Sequence, residues 1–218
     1  MEASTSENSR TPNRNRKPMT ASRKISLAGG LLYLLTFVSV PQFLLYTRGR
    51  DPNYLVSPGP DTGVIVGGIL EIIVALAGIG TAVALFPALK RQNESLAMGL
   101  VGSRTLEAAT IFAGVVSLMT MVTLRKSGVG AEGFVIGRTL IAQYDWFHLG
   151  QAIMPVVDDL LLGLLLYQSR LVPRIFPVLA FIGVPVLAAN TVLLMFGVTG
   201  PALNLTTLGV IPIALFEF

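Results

Sequence analysis

Residues 104 to 112 read RTLEAATIF, which sets Arg104 and Glu107 three positions apart inside a long apolar run. On a helix that spacing puts both side chains on one face, close enough to pair. A paired acid and base at bilayer depth can lock helices together, or it can hold a polar solute or pass a proton. Other residues of the same kind are Glu71, Asp158, Asp159 and Glu217, with Asn190 as an uncharged polar member and His148 as the single histidine. A charge inside a membrane costs a few kcal/mol at least, so these groups are expected to face a helix-bundle interior and find partners there. A guanidinium stays charged at any physiological pH, so Arg104 must be paired or watered. Its expected partners are Glu107 first, then one of Glu71, Asp159 or Glu217.

Several chemistries are not supported. The stretch GVGAEG matches G-x-G-x-x-G at Gly128, Gly130 and Gly133, but it lies in a loop with no preceding strand, so dinucleotide binding is not expected. Tyr144 and Asp145 match half of an intramembrane aspartyl protease signature whose Gly-x-Gly-Asp half is missing. Asp158 and Asp159 diverge by about 100° on a helix and form no carboxylate dyad. With one histidine, no cysteine and no H-E-x-x-H, a zinc site is not expected, and no other cofactor is implied. His148 stands beside Trp146 and Phe147, where an interfacial aromatic belt is expected. The sequence thus carries no recognisable catalytic constellation.

The elements that must position these residues follow from hydropathy. Of the 218 residues, 52% are hydrophobic and 13% are charged, and the mean hydropathy is +0.69. A soluble chain needs roughly a quarter charged residues, so lipid must cover this one. The net charge of +4 is read by its placement, and a nucleic-acid partner is not implied. Apolar runs long enough to cross a bilayer fall at about 25 to 46, 63 to 86, 97 to 124, 147 to 169, 175 to 198 and 203 to the end. Backbone amides in lipid need internal partners, so the expectation is an all-α polytopic bundle of about six spanning helices. Residues 1–24, rich in Ser, Asn, Pro and Arg, are expected to form a disordered basic tail, and residues 25–218 a single transmembrane domain.

Lys and Arg set the orientation. Arg10, Arg14, Arg16, Lys17, Arg23, Lys24, Lys90, Arg91, Arg170 and Arg174 fall on one side, against Arg48, Arg50, Arg125, Lys126 and Arg138 on the other. The larger set marks the cytoplasm, so the N-terminus is expected inside and the protein in the plasma membrane. Residues 125 to 148 are expected to form an outer cap and not to span. The last run stops 16 residues after Ala202 with Glu217 in it and no basic anchor behind, which suggests a helix cut short at Phe218.

Helical spacing then orients the polar residues. Gly67, Gly68, Glu71, Ala75, Gly78 and Ala82 share a small-residue face of the second span. His148, Ala152, Pro155, Asp159 and Gly163 share a stripe of the fourth, so Asp159 is expected inward, with Asp158 and His148 ranked behind the other polar positions. Depths counted from span midpoints bring the charged set into the middle third of the membrane.

Four stretches carry a resemblance: RKISLAGGLLYLLTFV, then NESLAMGLVGSRTLEA with Asn93, Glu94, Arg104 and Glu107, then FHLGQ with His148 and Gly150, then LLYQSRLVPRIFPVLAFIG with Tyr167, Ser169, Pro173 and Arg174. In this order they cover most of the chain from Arg23, which resembles the bacterial and archaeal membrane family known as domain of unknown function 4386. The resemblance implies a six- or seven-helix cytoplasmic-membrane protein with no assigned activity. Family chains are usually apolar after the histidine, so Asp158 and Asp159 depart from the pattern. They also usually complete a last helix and end in basic residues.

Three functions stay open: a structural or regulatory membrane protein locked by its charges, a small-solute or proton-coupled carrier, and a lipid-modifying enzyme. The bilayer is the one partner implied, and oligomerisation is left open. A water-accessible cavity at Arg104 would separate the first reading from the other two.

Overall fold

The computed structural model describes residues 20–37, 45–46, 48–51, 53–130, 132–198 and 205–217, without the side chains of 21–22, 205–207 and 217. Among them are six helices and no strand: α1 Ala21–Phe37, α2 Thr62–Leu89, α3 Glu94–Ser127, α4 Gly133–Ser169, α5 Ile175–Met195 and α6 Leu205–Glu217. The first nineteen residues, assigned from sequence to the tail, lie outside the described set, and positions 21–24 belong to α1.

Four helices, α2 to α5, are long and apolar enough to cross a membrane, with mean hydropathies of 2.4, 1.7, 1.7 and 2.2 over their best windows. This is the expected all-helical membrane architecture at a coarser count. Over the described residues α1 has 17 residues and α6 has 13.

Each helix packs on the next in sequence, from α1 on α2 through to α5 on α6. The links 90–93, 128–132 and 170–174 are short and favour that order, since a few residues suffice to turn the chain back on itself. Between α2 and α3 the turn ends in an N-cap, where the Asn93 side chain accepts from Leu96 N at 3.1 Å. Glu94 begins α3 while Arg125 and Lys126 close it, so its end charges oppose the helix dipole at both termini. Pro87, Pro155, Pro185 and Pro212 sit inside helices, where neighbouring helices tolerate them.

Outward faces are apolar. Leu27, Leu31 and Leu34 of α1, Ile69, Leu76 and Val83 of α2, and Ile182, Val192 and Met195 of α5 are all exposed. Charged Glu71, Asp158 and Asp159 are buried. Such an inversion is stable only where hydrocarbon covers the outside.

Packing falls into three layers. At one end Tyr46, Tyr54, Leu55, Leu118, Met121 and Tyr144 form an aromatic-rich cluster. At the other, Ala82, Leu89, Ala97, Leu100 and Leu165 pack together. The middle layer is built on Ala75, Ala108, Ile111 and Val115, and its small side chains leave room beside them.

One expectation is corrected. Residues 133 to 148 are not a separate outer cap but the first turns of α4, a continuous helix of 37 residues. Gly133 and Gly137 are buried in it, and Ile136, Leu140 and Ile141 pack against the aromatic cluster. Glycine has a helix cost of about 1 kcal/mol, which close packing here offsets.

Candidate functional site

The middle layer borders a partly open cavity of about 650 Å³ whose wall takes residues from all six helices. Small side chains make it: Ala75 and Gly78 on α2, Ala108 on α3, Ala152 on α4 and Ala214 on α6 line it. Its polar lining is Tyr33, Thr36, Arg104, Glu107, His148, Asn190 and Thr191, set among Phe37, Ile111, Leu187 and other apolar groups. The volume matches that of pockets that enclose a small organic molecule.

Arg104 is the hub of the polar wall. Its Nη1 donates to Glu107 Oε2 at 2.9 Å across one helical turn, and its Nε lies 3.1 Å from Asp158 Oδ2 on α4. Ser103 Oγ donates to the other oxygen of Asp158. The Glu107 contact is the one that i, i+3 spacing suggests. The second carboxylate corrects the sequence expectation, which named Glu71, Asp159 or Glu217 and ranked Asp158 behind. Asp158 does diverge from Asp159 around the helix, but α4 lies between α3 and α5, so two of its faces are buried. Asp158 is 0% exposed and Asp159 is 1% exposed.

Glu71 is held by a tyrosine. It is buried on the small-residue face of α2 and its Oε1 accepts from Tyr144 Oη at 2.8 Å. Tyr46 meets the Tyr144 ring edge-on at 5.7 Å, and His148 stacks on the same ring at 5.8 Å. Gly67 permits this arrangement, because a Cβ there would sit 2.5 Å from the Tyr46 ring. His148 and Asn190 both line the cavity, while Asp159 is not among its lining residues. The Glu217 side chain lies outside the described residues.

Spacing alone did not flag Tyr46, Ser103 or Tyr144 as members. Tyr144 had a usable signal: it stands four residues before His148 and extends the same stripe by one turn. Ser103 and Tyr46 carried none, since one is a common small residue and the other lies beyond the end of α1.

Above the aromatic cluster the loop from Arg48 to Asp61 is clamped by Arg125 of α3. The Arg125 guanidinium donates to Asp61 Oδ1, to the Gly59 carbonyl and, at 2.9 Å, to the Ser57 carbonyl. It also lies over the Tyr54 ring, 5.0 Å from the centroid. Tyr54 Oη donates to Asp61 at 2.7 Å. Burial opposes the Asp61 charge, but the bonds from Tyr54 and Arg125 and the nearby cations outweigh it and hold the carboxyl below its usual range. Burial, then the bond to Asp61, pushes the Tyr54 hydroxyl up to about 12.

No curated protein matches the chain, and neither does any solved structure. The family described as Domain of unknown function (DUF4386) matches residues 28–218, nearly the whole length, and the chain belongs to that family.

Proposed function

We propose that this chain is a multi-pass protein of the bacterial cytoplasmic membrane that holds a small, mostly apolar molecule with one polar group in the centre of its bundle, as a carrier or a membrane-embedded sensor does. The reading treats residues 25–218 as one domain with six spans and a cytoplasmic N-terminus. One observation carries it: the cavity of about 650 Å³ reaches Arg104 and Glu107. A charge pair needed only to fix helix packing requires no such space beside it.

A second reading is favoured by the pairing itself. Arg104 is already bonded to Glu107 and set against Asp158, so the wall can act as a lock between α3 and α4 with nothing bound. Thiol accessibility separates the two, because the chain has no cysteine of its own. Ala75→Cys and Thr191→Cys face the cavity, whereas Ala77 is buried and does not line it. In nanodiscs, a water-soluble methanethiosulfonate bearing a trimethylammonium group is expected to modify the first two and spare Ala77→Cys. If all three are equally inert, the lock reading stands and the binding reading falls.

A further inference from the structure

A second hollow of about 330 Å³ lies beside the central cavity, lined by Arg50, Asp145, Trp146, His148, Leu149, Ala152 and Leu194. Three of these, His148, Ala152 and Leu194, also line the central cavity. One layer of side chains therefore divides the two spaces. Two of its members stand one helical turn apart on α4, and the third is on α5.

That layer is thin. Ala152 contributes a single methyl group, and Leu194 is 40% exposed, so little holds it in one rotamer. Trp146, which lines the second hollow, is 60% exposed, as an indole that meets the headgroup region is. The same lining carries an ion pair from Arg50 of the α1–α2 loop to Asp145 of α4. Both side chains are about half exposed, at 47% and 46%, so the pair can part at small cost. The rest of the loop does not have to move with it, because Arg125 holds Ser57, Gly59 and Asp61, and Tyr54 and Leu55 are buried.

We propose that the central cavity is filled through a portal between α4 and α5 at His148, Ala152 and Leu194, with the Arg50–Asp145 pair as its latch. The molecule admitted is amphipathic: its polar group meets Arg50 and Asp145 first and Arg104 and Glu107 last, while its apolar part slides along Trp146, Leu149 and Leu194. The portal rests on the reading of the cavity as a binding site, and the test keeps the two apart.

The probe is the same trimethylammonium methanethiosulfonate, and the target is Ala108→Cys, on the α3 wall of the cavity, in the full chain in nanodiscs. Adding Asp145→Asn should speed modification by about five-fold, the scale of an exposed ion pair. Adding Ala152→Trp should slow it toward the rate of the buried Ala77→Cys control, and Leu194→Trp serves as the plug if the first variant does not fold. Should the plug leave the rate unchanged, the portal is wrong while the cavity stands, because the thiol is still reached. An unchanged rate with Asp145→Asn removes the latch. If the Ala108→Cys thiol is reached in no background, the cavity reading fails and takes the portal with it.

Discussion

At Asp158 the contact between α3 and α4 is concentrated in one carboxylate, which faces the Arg104 guanidinium and accepts from Ser103. Breaking a buried pair from one side leaves the other charge uncompensated, at a cost of about 3–5 kcal/mol. Arg104→Ala should therefore lower the melting temperature in detergent sharply, and Arg104→Ala with Asp158→Asn should recover more of it than Arg104→Ala with Glu107→Gln. The reverse ranking would make Glu107 the main partner. Asp61 offers a test at the bundle's end. Its folded pKa lies below the ordinary 3.8, so its stabilisation is fully present above that value and is lost as pH falls through the lower folded one. At neutral pH Asp61→Asn should cost about 1–2 kcal/mol through the bonds it gives up. Titrated melting curves of mutant and wild type should converge below pH 3.8. The charged positions themselves were legible in the sequence because they interrupt apolar runs. Which carboxylate of another helix Arg104 meets was not, because a helical wheel gives direction but not which neighbour occupies it.

Among the elements, α5 and α6 approach most closely at glycine. A Cβ at Gly183 would lie 2.6 Å from Ile213 Cγ1 and 2.9 Å from the Gly209 carbonyl oxygen. The isoleucine can turn away, whereas the carbonyl belongs to a helix backbone and cannot. Gly183→Ala is expected to destabilise by about 1–3 kcal/mol, and Gly30→Ala, which meets nothing within 4 Å, to be near neutral. Equal melting temperatures for the two variants would show that α6 shifts freely. Existence and order of the helices could be read from hydropathy, since α2 to α5 fall where apolar runs were expected. The start of α4 could not. Gly133, Gly137 and Gly150 lower local helix propensity, and what restores the helix is contact with distant residues such as Val56 and Thr110.

For the molecule as a whole, the charge asymmetry predicts that Lys90, Arg91, Arg170 and Arg174 face the cytoplasm. An impermeant thiol reagent applied to intact cells should label a cysteine at position 130 and spare one at position 90, and the opposite pattern would invert the topology. Length adds something that charge does not. At 1.5 Å per residue the 34 residues of α3 reach about 51 Å and the 37 of α4 about 55 Å, against roughly 30 Å of hydrocarbon. The two are packed side by side, so they must lean together or project together beyond the hydrocarbon. The loop that Arg125 grips lies at the C-terminal end of α3. Thickening the bilayer would draw it toward the headgroups, and thinning would leave it farther out in water. A change in acyl-chain length should therefore act first on this loop and not on the bundle's centre.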